Sequence, residues 1–250
     1  MINILLCGSN GNMGRKVNEV VNENNDLSIA AGIDKTSDMY STYPVFTAFS
    51  DVVDEVDLIL DFSCPCLLDD MLEFAKQKKI PAVICTTGYS DEQIKKIYDA
   101  AKIIPIFFSS NMSLGISLIK DLAKKAASVL GEEFDIEIVE KHHNQKIDAP
   151  SGTALMLANE INSEVGEKYT YEFDRHSKRQ KRSKNEIGIH SVRGGTIVGE
   201  HEVIFAGKDE VITISHSAFS KKVFAVGAVN AVRFIIDKPA ALYTMDDLLK

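Results

Sequence analysis

Residues 2–15 read INILLCGSNGNMGR, and this stretch decides the fold expected for the chain. The apolar run 2–7 predicts a buried strand, because short apolar runs that end at a glycine are typical of parallel sheets. Glycines follow at positions 8, 11 and 14, where a helical pattern begins. The spacing is related to the dinucleotide-binding turn, whose glycines allow a tight turn, close approach of backbone to pyrophosphate, and close helix–strand packing. Taken alone, the same glycines also suit an ordinary strand–helix connection.

The next strand supplies the context for this turn. Residues 27–33 (LSIAAGI) predict a second strand that ends at Asp34, about 20 residues beyond Gly14, where an acid binds the ribose hydroxyls in dinucleotide-binding domains. Dinucleotide binding is predicted by this order of features: a strand, the glycines, a helix, a second strand and the acid. Asp34 favours NADH, because a carboxylate repels the 2′-phosphate of NADPH, whereas the neighbouring Lys35 could bind that phosphate. The pair is compatible with either cofactor, and NADH is the preferred expectation.

Strands and helices continue to alternate up to residue 112. Strands are predicted at 56–61, 81–85 and 104–108, and helices at 65–78 and 91–101. Alternation of this kind predicts a parallel sheet with right-handed crossovers, whose ligands lie beyond the carboxyl ends of the strands. The loops expected to face the cofactor are Gly8–Gly14, Asp34–Lys35, Phe62–Pro65, Cys85–Gly88 and Ser109–Met112.

The remaining sequence predicts a second domain and a return to the first. Helical patterns cover 114–130 and 153–165, and three strand-like runs at 187–192, 197–205 and 211–218 predict an antiparallel meander. The basic stretch 168–184 is predicted to be a solvated, mobile loop, and the helix 222–236 is expected to pack back on the first domain. The fold class is therefore α/β: a Rossmann-like dinucleotide-binding domain at 1–112 plus 217–250, and an α+β domain at 113–216 for substrate binding and oligomerisation, with a mixed or antiparallel open sheet.

The chemistry is concentrated in residues 137–154, which read EIVEKHHNQKIDAPSGTA. Adjacent histidines, His142 and His143, and Lys146 offer proton transfer near neutral pH. The Ser-Gly-Thr turn at 151–153 opens a helix and offers backbone N–H groups and the positive end of the helix dipole to an anion. The stretch predicts a site that binds a small anionic molecule and protonates it, and a reduced nicotinamide would supply the hydride.

Other interpretations of this stretch are weaker. A zinc site at His142, His143 and Asp148 has no cysteine or further well-spaced ligand nearby. A Ser151 nucleophile has no Gly-x-Ser-x-Gly elbow. An ordinary histidine pair leaves Lys146 and the Ser-Gly-Thr turn unexplained. Structural roles are predicted for the other histidines, which are His176, His190, His201 and His216.

Composition limits the partners and the compartment. The chain has 250 residues and a formal net charge of −8, which argues against nucleic acid as a partner. No apolar run approaches the roughly 18 residues that a membrane span needs, and the N-terminus lacks the features of a signal peptide. The four cysteines (Cys7, Cys64, Cys66 and Cys85) are predicted to be reduced and structural, as in a cytoplasmic protein.

Five stretches together carry a family resemblance. GSNGNMGR at 8–15, CTTG at 85–88, SSNMSLG at 109–115, EIVEKHHNQKIDAPSGTA at 137–154 and VRGGTIVGEHEVIFAG at 192–207 resemble the dihydrodipicolinate reductase family, in order and over essentially the whole chain. The run E-x-x-E-x-H-H-x-x-K-x-D-A-P-S-G-T-A is highly specific, whereas the glycine turn alone is not.

The resemblance implies roles for individual residues. It implies that His142 donates and accepts the proton, that Lys146 binds substrate and supports proton donation, and that His143 contacts the substrate. Gly152 and Thr153 are implied to bind a substrate carboxylate, and Ser151 joins them as the first residue of the same turn. No metal is expected. The implied cofactor contacts are Gly8, Ser9, Asn10, Gly11, Asn12, Met13, Asp34, Cys85, Thr86, Thr87, Ser109, Ser110, Asn111 and Met112, and Lys35 is added to them from its position beside Asp34.

The expected function is NAD(P)H-dependent reduction of 4-hydroxy-tetrahydrodipicolinate to tetrahydrodipicolinate in lysine and diaminopimelate biosynthesis. The resemblance also implies a cytoplasmic homotetramer assembled through the sheet of the second domain. Two alternatives stay open: another two-domain Rossmann dehydrogenase for a small anionic substrate, and a nucleotide-sensing module without enzymatic activity. The second alternative predicts loss of the histidines and Lys146, which are all present.

Overall fold

Residues 1–114 and 221–250 fold as one unit, and residues 115–220 fold as a second. The structure, a computed structural model, describes residues 1–38 and 40–249. The boundaries expected from sequence, 113 and 217, lie two and four residues before those observed at 115 and 221. The elements of the first unit up to residue 114 are β1 (Ile2–Cys7), α1 (Asn12–Asn22), β2 (Leu27–Ile33), β3 (Val45–Phe46), β4 (Leu58–Asp61), α2 (Leu68–Lys78), β5 (Ala82–Ile84), α3 (Asp91–Ala100) and β6 (Ile106–Phe108).

The second unit follows without interruption. Its elements are α4 (Leu114–Leu130, which begins at the boundary), β7 (Asp135–His142), α5 (Gly152–Glu164), β8 (Thr170–Glu172), β9 (Glu186–Arg193), β10 (Gly199–Ala206) and β11 (Val211–Ala218). The chain then completes the first unit with α6 (Lys222–Ile235), β12 (Leu242–Tyr243) and α7 (Met245–Leu248).

A seven-stranded parallel sheet organises the first unit, in the order β12-β6-β5-β4-β1-β2-β3. Its interior strand β1, between β4 and β2, is apolar on both faces, because each face is covered by a separate core. Ile4 and Leu6 face one core, whereas Leu5 and Cys7 face the other. This layering confirms the Rossmann-like fold class and explains why residues 2–7 form an unbroken apolar run.

Helix α6 completes one of these two cores. Its residues Ala225, Val229 and Val232 are buried together with Ile4 and Leu6 of β1. A Cβ atom at Gly227 would lie 1.6 Å from the carbonyl oxygen of Met112, so the backbone of α6 lies directly against the loop that follows β6. The last segment of the chain is thus integral to the first sheet.

The second unit contains a five-stranded mixed sheet in the order β11-β10-β7-β9-β8. The predicted meander is wrong. β10 and β11 pair antiparallel, but β7 lies between β9 and β10 and pairs parallel with β9. Alternating patterns identify strands but do not state which strands become neighbours, and the motif strand β7 takes the centre of this sheet.

The basic loop is largely exposed, as the prediction of a solvated loop expects, but two of its arginines bind this sheet. Arg175 donates to Glu137 at 2.7 Å, and Arg182 donates to Glu137 at 2.9 Å and to Asp135 at 2.9 Å. Arg175 also pairs with Glu186. The acids of β7 and β9 neutralise these two arginines, and sequence periodicity does not reveal partners about 40 residues away.

The cysteines divide into two kinds. Cys7 and Cys85 are free and buried, as predicted. Cys64 and Cys66 form a disulfide, so the prediction of reduced cysteines is wrong for this pair. Cys64 is extended and Pro65 starts a helical turn, and their geometry brings the two cysteine Cα atoms to 5.3 Å, within the range that a disulfide spans.

Among residues 1–38 and 40–249, no helix combines the length and the apolar character needed to cross a membrane.

Candidate active site

The glycine turn after β1 forms a cradle that leaves no room for side chains. Gly8 has φ of +76°, a left-handed conformation, and a Cβ atom there would lie 2.4 Å from the carbonyl oxygen of Phe62. A Cβ atom at Gly14 would lie 2.2 Å from the carbonyl oxygen of Gly8. Gly11 is the N-cap of α1, so backbone N–H groups of the first turn of α1 point out of the turn. The cradle has the shape and polarity that a pyrophosphate requires.

The acid at the end of β2 lies against this cradle. Asp34 accepts a hydrogen bond from the backbone N–H of Asn10 at 2.8 Å and another from that of Lys35 at 2.7 Å. The side chain of Asn10 reaches the backbone carbonyl of Asp38 at 3.0 Å. The sequence-predicted acid and turn are therefore brought together within the first unit.

The predicted loops at the other strand ends surround the same edge of the sheet. The hydroxyl of Ser109 donates to the carbonyl of Asn111 at 2.8 Å, which folds that loop back on itself. Ser9, Cys85, Thr86 and Met112 are buried, whereas Gly11, Asn12, Lys35 and Thr87 are exposed. The exposed members form the accessible rim of the edge.

Asp61, which ends β4, was not predicted as a site residue. Its carboxylate is buried and accepts from the backbone N–H of Ser63 at 3.0 Å and from the hydroxyl of Tyr89 at 3.2 Å. Burial raises the pKa of Asp61 above its usual range. The signal was available, because an acid at the carboxyl end of an apolar strand lies at the ligand edge of a parallel sheet.

Two alanine substitutions in the glycine turn distinguish a glycine needed for backbone packing, Gly14, from one needed for the approach of the cofactor, Gly11. Gly14→Ala is expected to lower the free energy of unfolding by about 1–3 kcal/mol, because its Cβ would press on the backbone of Gly8 and Ser9. Gly11→Ala is the matched control: φ is −70°, and the nearest atom to the added Cβ is 3.2 Å away. Gly11→Ala should lose clearly less stability than Gly14→Ala, measured by urea unfolding, and should weaken NADH binding, measured by fluorescence titration. Equal stability losses in the two variants would contradict this division.

Strand β7 places an acid on the buried face of the second sheet. Side chains alternate along a strand, so Glu140 shares the face of Ile136 and Ile138, which belong to the core. Glu140 is 0% exposed. A charge in this position needs partners, because burial of an unpaired carboxylate is very costly.

Four donors supply those partners. One oxygen, Oε2, lies 2.6 Å from Nδ1 of His142 and accepts from Nη1 of Arg193 at 2.7 Å. The other, Oε1, accepts from Nη2 of Arg193 at 2.7 Å and from the backbone N–H of Ser151 at 3.1 Å. Burial by itself would raise the pKa of Glu140, but the hydrogen bonds from Arg193 and His142 outweigh burial and lower it to about 2. Glu140 is therefore an ionised carboxylate inside the fold.

The ring of His142 lies beside a second histidine. His142 is 12% exposed, and its ring meets that of His201 edge-on, with centroids 5.2 Å apart. A Cβ atom at Gly199 would lie 3.1 Å from Nε2 of His142, so this glycine leaves the room that the imidazole edge occupies. Nε2 is thus the end of the ring that faces away from Glu140.

Ser151 acts as a cap in this arrangement. Its hydroxyl accepts from the backbone N–H of Ala154 at 3.2 Å and lies 3.0 Å from Nε2 of His201. Helix α5 begins at Gly152, so the predicted Ser-Gly-Thr turn is the N-terminus of a helix. The first-turn N–H groups, including that of Gly152, and the helix dipole create a preference for an anion next to His142.

Lys146 lies in the loop between β7 and α5. Its Nζ is 2.8 Å from Oδ1 of Asp148, and its backbone N–H donates to the carbonyl of His143 at 3.1 Å. The bond from Lys146 lowers the pKa of Asp148. The side chain is 22% exposed, so the ammonium group remains accessible to a ligand. Within residues 1–38 and 40–249, no group of three or more His, Cys, Asp or Glu side chains is arranged to hold a metal ion.

Glu140, Arg193 and His201 were not singled out as site residues from the sequence, and His201 was expected to be structural. The period-two pattern of β7 contains a signal for Glu140, which is an acid at a core-facing position. Arg193 and His201 lie on strands about 50 and 60 residues downstream, and only the register of the sheet brings them to β7. Local patterns contain no such information.

The buried His201 makes the stability of the second unit depend on pH. Burial lowers the pKa of His201 to about 4. Between about pH 6.5 and 4 the unfolded chain takes up a proton at this residue that the folded chain does not, so stability falls as the pH falls. The free energy of unfolding, measured with urea, should fall by on the order of 3 kcal/mol across this pH window in the wild type, and by clearly less in His201→Asn. Parallel pH dependences for the two proteins would contradict the assignment.

Family models cover the chain in two parts. The model described as "Dihydrodipicolinate reductase, N-terminus" matches residues 2–112, and the one described as "Dihydrodipicolinate reductase, C-terminus" matches residues 115–249. These matches agree with the resemblance that the motifs indicated.

Individual relatives align over the full length. The curated 4-hydroxy-tetrahydrodipicolinate reductases of Caldanaerobacter subterraneus subsp. tengcongensis and Clostridium novyi are 52% and 49% identical over 250 residues, which is 100% of this chain and 99% of each relative. A solved structure, the dipicolinate-bound dihydrodipicolinate reductase from Paenisporosarcina sp. TG-14, matches with a TM-score of 0.82 and 25% identity, covering 98% of this chain and 97% of that chain. Because the family models cover nearly all residues and these relatives align end to end, the chain belongs to the dihydrodipicolinate reductase family.

Proposed function

We propose that this protein catalyses the NAD(P)H-dependent reduction of 4-hydroxy-tetrahydrodipicolinate to tetrahydrodipicolinate, a step in lysine and diaminopimelate biosynthesis. The substrate gains a hydride and a proton and loses water, while the nicotinamide is oxidised. The observation that carries the proposal is the buried Glu140–His142 pair, 2.6 Å long, beside the N-terminus of α5. A proton donor next to an anion site is what reduction of an unsaturated dicarboxylate requires.

The residues at the edge of the first sheet fit a dinucleotide. No Cβ atom fits at Gly8 or Gly14, so the turn presents backbone atoms to a pyrophosphate. Asp34 lies at the end of β2, where a ribose would be held. We therefore assign residues 1–114 and 221–250 to cofactor binding and residues 115–220 to substrate binding. When bound, the cofactor supplies the hydride.

The second unit supplies the other requirements. We assign the binding of one substrate carboxylate to the turn at Ser151, Gly152 and Thr153, where the helix dipole favours negative charge. Lys146 supplies a positive charge to the dicarboxylate, and His143 is assigned a contact with the substrate. His142 is assigned the proton transfer, from Nε2, because Nδ1 is engaged by Glu140.

A coupled assay tests the proposal. Dihydrodipicolinate synthase, pyruvate and aspartate semialdehyde generate the substrate in place, and absorbance at about 340 nm follows NADH or NADPH when this protein is added. Cofactor consumption that requires the synthase supports the proposal and gives the NADH/NADPH preference directly. If neither cofactor is consumed in a synthase-dependent way, the proposal is rejected.

The same assay distinguishes the alternatives. A different Rossmann dehydrogenase would leave the synthase product untouched while oxidising or reducing another small anionic substrate. A nucleotide-sensing module would bind NADH in a fluorescence titration and turn over nothing.

We also propose that the protein is a cytoplasmic homotetramer that assembles through the second sheet. Within the second unit, the cores of α4 and α5 pack on one face of the sheet. The opposite face has Lys141 between Glu200 at 3.1 Å and Glu202 at 2.8 Å, with Val139 and Ile204 partly exposed nearby. A face of mixed charged and apolar residues suits an interface between copies. Light scattering should give about four times the chain mass of 27.6 kDa, and a monomer would contradict the proposal.

A further inference from the structure

Glu140 is the most deeply buried charged residue of the second unit, and the proposed reaction assigns it no chemistry. It is 0% exposed, so it does not reach a ligand. Four donor atoms around it come from two strands and one helix N-terminus: Nδ1 of His142 on β7, Nη1 and Nη2 of Arg193 on β9, and the backbone N–H of Ser151 at the start of α5. A carboxylate held in this way has a fixed position and a fixed orientation.

The charge of Glu140 determines which nitrogen of His142 carries hydrogen. An ionised carboxylate is only an acceptor, so Nδ1 of His142 must be the donor across the 2.6 Å contact. The neutral ring is therefore the Nδ1–H form, with the lone pair on Nε2. When Nε2 takes up a proton, the resulting imidazolium lies beside a full negative charge that stabilises it.

Arg193 keeps this carboxylate from turning. Its guanidinium binds both oxygens of Glu140 at 2.7 Å, the two-pronged geometry that fixes a plane as well as a distance. The same group donates to the backbone carbonyl of Asp148 at 2.6 Å, which ties the loop that contains Lys146 to the strand. One arginine thus sets the orientation of the acid and the position of the loop.

We propose that Glu140, clamped by Arg193, is a positioning residue for proton transfer: it fixes His142 as the Nδ1–H tautomer, points Nε2 away from itself, and stabilises the charged ring. This inference rests on the proposed function of His142. It assigns roles to two residues outside the proposed substrate contacts, and it gives a function to the buried ion pair next to the helix N-terminus.

Replacement by glutamine makes a sharp prediction. At the Oε1 position the amide meets two donors that cannot become acceptors, the backbone N–H of Ser151 and Nη2 of Arg193, whereas at the Oε2 position it meets only one, Nη1 of Arg193. The amide oxygen therefore takes the Oε1 position, and the bond from Nη1 is lost. The amide NH₂ then faces Nδ1 of His142, which can become an acceptor by changing tautomer. Glu140→Gln should therefore convert the neutral ring to the Nε2–H form, without changing the size of the side chain.

The experiment measures tautomer and kinetics in the full-length protein. In ¹⁵N spectra of histidine rings at about pH 8.5, His142, assigned by its loss in His142→Asn, should show Nδ1–H in the wild type and Nε2–H in Glu140→Gln. In the coupled assay Glu140→Gln should lose about tenfold or more in kcat, with KM within about twofold, because the proton-transfer step is impaired and substrate binding is not.

The matched control is Glu186→Gln. Glu186 is 7% exposed, lies in the same sheet and pairs with Arg175, so it tests the loss of a buried ion pair that does not contact His142. Its kcat should stay within about twofold of the wild type. An unchanged His142 tautomer in Glu140→Gln, an unchanged kcat, or an equal loss in the control would overturn the inference. A wild type without coupled activity would instead reject the proposed function, while the tautomer measurement would still report on Glu140.

Discussion

Replacing His142 with asparagine is expected to lower kcat by about 10²–10⁴-fold, the contribution typical of a positioned proton donor. Asparagine is suited to this test, because its amide N–H₂ can donate to Glu140 in place of Nδ1, so the buried carboxylate keeps its partners. What is lost is the ring nitrogen Nε2, to which the proton transfer is assigned. KM for the substrate should change little, since the interaction removed acts in the transition state.

The coupled assay measures this loss, and unfolding by urea shows whether the fold is intact. His176→Asn is the control: His176 is exposed in the basic loop, and its kcat should equal that of the wild type. Activity of His142→Asn within about tenfold of the wild type would show that another group delivers the proton.

Replacing Lys146 with alanine is expected to raise KM and to lower kcat, with a combined loss of about 10²-fold or more in kcat/KM. Removal of a charge that pairs with a ligand carboxylate in a desolvated site costs about 2–5 kcal/mol, which corresponds to this range. Both constants are expected to change because the role proposed for the ammonium group is to bind the dicarboxylate in the ground state and to stabilise the charge that develops during reduction.

A lysine in a similar ion pair elsewhere in the same unit gives the control. Lys168 lies 2.8 Å from Glu132, the same separation that joins Lys146 to Asp148, but on an exposed surface. Lys168→Ala should leave kcat/KM unchanged. If Lys146→Ala stays within a few-fold of the wild type, the assignment of Lys146 to the substrate is wrong.

The first unit was largely predictable because its signals are local. A buried parallel strand needs apolar residues on both faces, so the apolar run 2–7 predicts β1 without information from the rest of the chain. Glycine spacing and Asp34 are equally local. The short strands β3 and β12 escaped prediction, since two-residue pairings such as Leu242–Tyr243 have no period to detect.

Most strands and helices of the second unit were predicted, but the neighbours of each strand in its sheet were not. The motif residues His142, Lys146 and Ser151 follow one another along the chain, and the sequence shows them together. Arg193 and His201 reach Glu140 and His142 only because β9 and β10 flank β7, a neighbourhood that alternation does not encode. The basic loop illustrates the same limit, because Arg175 and Arg182 find their acids on β7 through the fold.

The split of the first unit between residues 1–114 and 221–250 has a consequence for synthesis on the ribosome. Six of the seven strands of the first sheet emerge early, but the face that α6 covers stays open until Ala225, Val229 and Val232 have left the exit tunnel. The second unit is continuous, from 115 to 220, and all of its residues have been translated before α6. We therefore expect the later unit to finish folding first, while the nascent first sheet presents an uncovered apolar face to chaperones for the time needed to translate about a hundred further residues.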